Sequence, residues 1–206
     1  MMREGGVFLM ENLVRWIRSK IGCGYVYGAT GWICTQKQLN RQAEQYPEQA
    51  KNILTICPKW IGVQCFDCAQ LIRQGLKDIG ISIPSGVTSQ WKADVWKEKG
   101  EIDRLPETLC VLFRERDGVW RHNGWYLGNG IVVDARGSSA GVIQSRLDDY
   151  AWTHYAIPRG IEEAEGAPED PEENPELPSV PEEDVLTKLR RNDGTEIELL
   201  GRWMIV

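Results

Sequence analysis

Hydrophobic residues change their period partway along this chain of 206 residues, and that change sets the fold class. Glu11 to Ile21 puts Leu13, Trp16 and Ile17 on one helical face. Lys37 to Gln45 is polar helix material, broken by Pro47. Asp67 to Ile79 places Cys68, Leu71, Ile72, Leu76 and Ile79 at helical spacing, with Gly80 as the C-cap. Then the alternation becomes that of strands: LCVLFRE, VWRHNGWYLG, GIVVDA, GVIQSRL and THYAIP. Asp117-Gly118, Gly128-Asn129-Gly130 and Gly137-Ser138 punctuate them as turns. Helices first and antiparallel strands second predict an α+β domain over residues 1–160.

Composition marks where that domain ends. Residues 161–184 hold eleven acids, five prolines and no Lys or Arg. Such a stretch repels itself and cannot form regular ladders, so it is expected to be an acidic linker. Residues 1–160 carry 20 Lys and Arg against 16 Asp and Glu, a net charge of +4 beneath the chain's −6. In residues 185–206, alternation in LTKLRR and TEIELL around Asn192-Asp193-Gly194 predicts a β-hairpin, or the remnant of a binding module. No apolar run approaches the ~20 residues of a membrane span. VFLM near the start is too short for a signal peptide, so synthesis in a cytoplasm is expected, without integral membrane association.

The stretch QCFDCAQLIRQGLKDIG, residues 64–80, carries two of the six cysteines, Cys65 and Cys68. A redox pair would follow a strand in a βαβ unit, and here the strands come after the helix. A zinc site needs a second ligand pair, and no second C-x-x-C exists; no metal is expected. For Cys65 the reading is a buried packing residue. For Cys68 it is a nucleophile. Asp67 suits a helix N-cap, which puts Cys68 in the first turn, where amides and the helix dipole favour a thiolate. The same amides can stabilise an oxyanion.

A thiol nucleophile needs a base, and the base an orienting group. The chain has two histidines, His122 and His154. His122 lies in VWRHNGWYLG, and Asp134 follows twelve residues later in the next strand. With a tight turn at Gly128-Asn129-Gly130, residues whose numbers sum to about 258 face each other across an antiparallel pair. His122 then opposes Arg136, and Asp134 opposes Gly124. The two share a face, within reach of a hydrogen bond. His154 is taken as a structural or exposed strand histidine.

YVYGATG (Tyr25 to Gly31), FDCAQLI (Phe66 to Ile72) and HNGWYLGNGIVVDA (His122 to Ala135) occur in that order. Together they resemble the signature blocks of the NlpC-type papain-like cysteine peptidases, enzymes of bacterial cell-wall turnover and phage lysis. The resemblance spans roughly residues 12–158. It implies a papain-like fold, with N-terminal helices packed on a C-terminal antiparallel sheet and the cysteine at a helix start. It makes Cys68 the nucleophile, His122 the base and Asp134 the third polar residue. Tyr25 and Asp67 lie on the substrate and oxyanion side. The implied activity is hydrolysis of a peptidoglycan stem-peptide amide, commonly between D-γ-glutamate and a diamino acid, without metal or cofactor. The implied partner is peptidoglycan or a muropeptide, with no nucleic acid, and the place of action is the cell wall, as in a phage lysin. An N-acetylmuramoyl-L-alanine amidase, an acyltransferase or an inactive wall-binding module are the alternatives.

Three departures stand out. Ala69 and Gln70 replace the family's Ser and Gly after the cysteine. About thirty residues, including Cys34, Tyr46, Pro47 and Trp60, are inserted between the first two blocks. Asp134 is charged where neutral groups are common, and is expected to hold His122 protonated and favour a thiolate–imidazolium pair.

Overall fold

The computed structural model describes residues 3–161, 186–190 and 196–200. The helices are α1 (Arg3–Arg18), α2 (Gln36–Gln45), α3 (Ala50–Thr55), α4 (Cys68–Asp78) and α5 (Val87–Lys92). The strands are β1 (Gly24–Tyr25), β2 (Thr30–Ile33), β3 (Gln64–Phe66), β4 (Trp96–Glu101), β5 (Cys110–Arg116), β6 (Val119–Tyr126), β7 (Ile131–Gly137), β8 (Gly141–Arg146) and β9 (His154–Pro158), with β10 (Leu186–Arg190) and β11 (Glu196–Leu200) beyond. The expected acidic linker beyond Ile161 and the turn at Asn192-Asp193-Gly194 lie outside the described residues.

The main body is a mixed α+β fold in which β4 to β9 form one sheet of order β4-β9-β5-β6-β7-β8. Its ladders are antiparallel throughout. Helices α1 and α4 bury Leu13, Ile17, Leu71, Ile72 and Leu76 against Val111, Phe113, Trp125, Val133 and Ala135 of the sheet. Each such aliphatic side chain contributes about 2 kcal/mol when taken from water. The other face of the sheet carries a second cluster, with Cys110, Leu112, Tyr126, Val132, Trp152, Tyr155 and Ile157.

The inserted residues fold around a core of their own. Val26, Ala29, Cys34, Leu39, Ala43, Ile53, Cys57 and Cys65 are buried together, beside a small sheet of order β1-β3-β2. Strand β4 was not expected from the sequence, because WKEKGE alternates charge rather than apolar groups and is exposed at four of its six positions. As an edge strand it needs only its ladder to β9, and its charges guard that edge. Beyond the main body, β10 and β11 pair antiparallel from Leu186↔Leu200 to Arg190↔Glu196.

Candidate active site

Helix α4 begins where the sequence places it. Asp67 is its N-cap, in extended backbone, and Oδ1 accepts the Gln70 N–H at 2.7 Å. Its other oxygen, Oδ2, accepts the Gly28 N–H at 3.0 Å, and its own amide donates to the Ala29 carbonyl. The carboxylate thereby joins the loop after β1 to the helix start. At the far end the Gly80 amide donates to the Lys77 carbonyl with φ +82°, a conformation that suits glycine.

Cys68 is the first residue of α4 and keeps partial exposure, while Cys65 is fully buried; both are free thiols. Burial pushes the Cys68 thiol up to about 12, and the neighbouring Asp67 carboxylate adds to the rise. The amides of Ala69, Asn123 and Cys68 donate toward the sulfur and pull the other way without prevailing. The helix start therefore acts in the expected direction, but desolvation outweighs it and raises the thiol. Burial also raises Asp67, to about 6. Tyr25 and Tyr27 stand close enough to feel both Cys68 and Asp67, and burial raises both hydroxyls first, so each remains a donor.

The base strand is β6. Its register with β7 runs Trp125↔Val133 and Tyr126↔Val132, which is the expected sum of 258. The ladder is shorter than predicted, ending at Trp125↔Val133. A β-carbon on Gly124 would stand 2.7 Å from Asp134 Cβ and 3.0 Å from Trp152 Cη2, so only glycine permits this approach. His122 Nε2 lies 2.7 Å from Asp134 Oδ2, with both residues buried. An ionised carboxylate only accepts, so Nε2 carries the proton and Nδ1 is left as the basic nitrogen. Trp152 stacks on the imidazole at 5.4 Å between centroids and Tyr150 meets it edge-on at 5.2 Å. His154 lies elsewhere, its ring edge-on to Trp91 and Trp120, which stack on each other, and its Nδ1 at Thr153 Oγ1.

Several site neighbours went unread in the sequence. Arg136 donates to Asp134 twice, Nε to Oδ2 and Nη2 to Oδ1, each at 2.8 Å. Burial alone would raise the Asp134 carboxyl, but hydrogen bonds from His122 and Arg136 hold it below its usual range. Gln90 is wholly buried on α5; its Nε2 donates to the Ala69 carbonyl and its Oε1 accepts from Asn123 Nδ2. The chain of contacts from the start of α4 to the residue after His122 therefore runs through α5. For Arg136 a signal existed, since it shares a strand face with Asp134. For Gln90 none did, because the partners that tie it to the site are 21 and 33 residues away.

A nucleophile-type cysteine opening a helix, backed by an antiparallel sheet that carries a histidine–carboxylate pair, defines a papain-like arrangement. Residues 58–159 match the model of the NlpC/P60 family, a span that takes in Cys68, His122 and Asp134. Through these residues the chain belongs to the NlpC/P60 family. No curated protein matches it. Among solved structures it is similar to the peptidoglycan hydrolase RipB from Mycobacterium tuberculosis, at 20% identity over 80% of this chain and 70% of that one, with a TM-score of 0.53. A hypothetical invasion protein of Mycobacterium tuberculosis is 21% identical, over 76% of this chain and 64% of that one, with a TM-score of 0.52. NlpC2 from Trichomonas vaginalis is 15% identical, with a TM-score of 0.48, over 73% of this chain; the chain spans 46% of its length. For the two mycobacterial structures the likeness, at these identities, is one of fold. No helix among the described residues is long and apolar enough to cross a membrane.

Proposed function

We propose that this protein is a cysteine endopeptidase of the cell wall, cutting an amide in peptidoglycan stem peptides with Cys68, His122 and Asp134. The observation that carries the reading is the buried 2.7 Å contact between His122 and Asp134, on a strand whose next amide, that of Asn123, donates to the Cys68 sulfur. Family membership supports the peptidase class. The D-γ-glutamyl–diamino acid bond is the target we favour, and a phage lysin is the setting we favour.

The chemistry follows from the protonation states. His122 Nδ1 takes the Cys68 proton as the sulfur attacks the scissile carbonyl carbon, which avoids a free thiolate in a site that disfavours one. The carbonyl oxygen becomes an oxyanion, with the Cys68 amide and the Tyr25 hydroxyl as its donors. Collapse expels the amine, which leaves with the proton from His122, and a thioester remains. Water then gives its proton to His122 and its oxygen to the acyl carbon; the acid departs and the thiol is restored. Asp134 orients the ring and balances its transient charge.

Purified walls of defined cross-bridge chemistry, digested and read by mass spectrometry, test this. A new amino terminus on the diamino acid, absent with Cys68→Ala, is expected. Release of the stem peptide from N-acetylmuramic acid would instead identify an amidase. Undiminished cutting by Cys68→Ala would end the assignment.

A further inference from the structure

The charge on Asp134 is answered inside the protein. Arg136 places its guanidinium edge on both oxygens of that carboxylate, and its Nη2 also donates to Ser145 Oγ at 2.9 Å. The guanidinium also lies over the Tyr150 ring, 4.5 Å from its centroid. Asp134 is wholly buried, so an uncompensated carboxylate there would be costly and would act on His122 with full charge. With one positive and one negative group fixed together, the unit behind the imidazole is neutral overall. The forked grip also decides the geometry, because it fixes which face of Oδ2 is left for His122 Nε2.

We propose that Arg136 is a positioning residue: it clamps Asp134 and offsets its charge, so that the carboxylate meets His122 Nε2 in one fixed orientation and acts on the ring with less than a full charge. This rests on the reading of His122 as the base. The other groups facing His122 are Arg114, its register partner on β5, and Tyr150; Asp149 also acts on Arg136. Arg114 donates to the Tyr150 hydroxyl at 2.9 Å and adds positive charge. None of these replaces the direct contact of Arg136 with the carboxylate.

The test is the titration of His122 by NMR in the full chain, where only one other histidine exists and His154→Gln assigns it. Arg136→Gln is expected to raise the His122 midpoint by about one unit, since an opposite charge within hydrogen-bonding range shifts a pKa by 1–3 units. The acid limb of kcat/KM is expected to move up by the same amount. Asp134→Asn in the Arg136→Gln background restores a neutral unit, so the double variant is expected to keep at least tenfold more activity than the product of the two single losses. An unmoved His122 midpoint in Arg136→Gln, or losses that simply multiply, would overturn the proposal. If Arg136→Gln does not fold, Arg136→Lys decides. Lysine keeps the charge and gives up the fork, so the midpoint is expected to stay while kcat falls; an unchanged kcat overturns the positioning role. The titration is read with or without turnover, so failure of the peptidase reading and failure of the Arg136 role give different results.

Discussion

Gly75 of α4 and Trp125 of β6 are in direct apposition: a β-carbon on Gly75 would stand 2.8 Å from Trp125 Cζ2 and 3.0 Å from Trp16 Cζ3. A glycine inside a helix costs about 1 kcal/mol relative to alanine, yet here it allows the nucleophile helix to lie flat on the indole. Gly75→Ala is therefore expected to destabilise the protein by about 1–3 kcal/mol, as overpacking does, despite its better helix propensity. Denaturant unfolding measures this, and a stabilised variant would show that the helix is free to move away.

Asp67 and Asp134 are predicted to leave opposite marks on the pH dependence of stability. The Asp67 carboxyl is raised to about 6, above its unfolded value, so its contribution is complete below about pH 4 and is lost as pH rises through 6. The expected loss is on the order of 2 kcal/mol. Asp134 is lowered, so its contribution is present above about pH 4 and is lost as pH falls below that. Asp67→Asn should flatten the upper window only, at the cost of one of the two amide bonds, since Gly28 and Gln70 donate to different oxygens and one of these becomes an NH2 group that cannot accept. Urea midpoints taken from pH 3 to 8 separate the two, and a slope unchanged between pH 4 and 7 in Asp67→Asn would refute the assignment.

Cys68 is predicted to alkylate as a thiol that ionises late. Its rate with iodoacetamide should climb through the alkaline range, because burial and Asp67 push the thiol up to about 12. A rate plateau beginning at pH 6 would mean that an imidazolium holds the sulfur ionised, contrary to the protonation states described above.

Gln90 is predicted to matter to both stability and rate. Gln90→Leu takes a donor from the Ala69 and Pro84 carbonyls and strands the Asn123 amide group, the last at a cost of about 1–3 kcal/mol when buried without a partner. Gln90→Glu keeps an acceptor for Asn123 but loses the donor to Ala69, so it should fall between the wild type and leucine. Thermal melts paired with kcat on a soluble stem peptide check the order, and leucine matching wild type in both would remove α5 from the site's support.

Much of this arrangement was legible because local chemistry carries it. The N-cap at Asp67, the apolar face of α4 and the glycine behind it all lie within residues 67–80. The pairing of His122 with Asp134 followed from a turn position and the two-residue period of strands, so register could be counted. Strands β1 to β3 escaped notice because two to four residues are too few to show a period. Helix α5 escaped because VTSQWK has one turn and a half and no side-chain cap. The direction in which the Cys68 thiol is pushed was not legible for a different reason. Helix amides are visible in a sequence, but the desolvation that outweighs them is a property of the packed whole.

Neighbouring residues of β6 have divided duties: Asn123 reaches Gln90 on α5, while His122 and Gly124 adjoin Asp134. Single substitutions along this strand degrade one duty at a time. An inserted or deleted codon within it would instead exchange them all at once, sending the imidazole toward α5 and the amide toward the carboxylate. Length changes in the homologous gene segment should thus be far rarer than changes of letter, a bias that genome comparison can count without any enzyme assay.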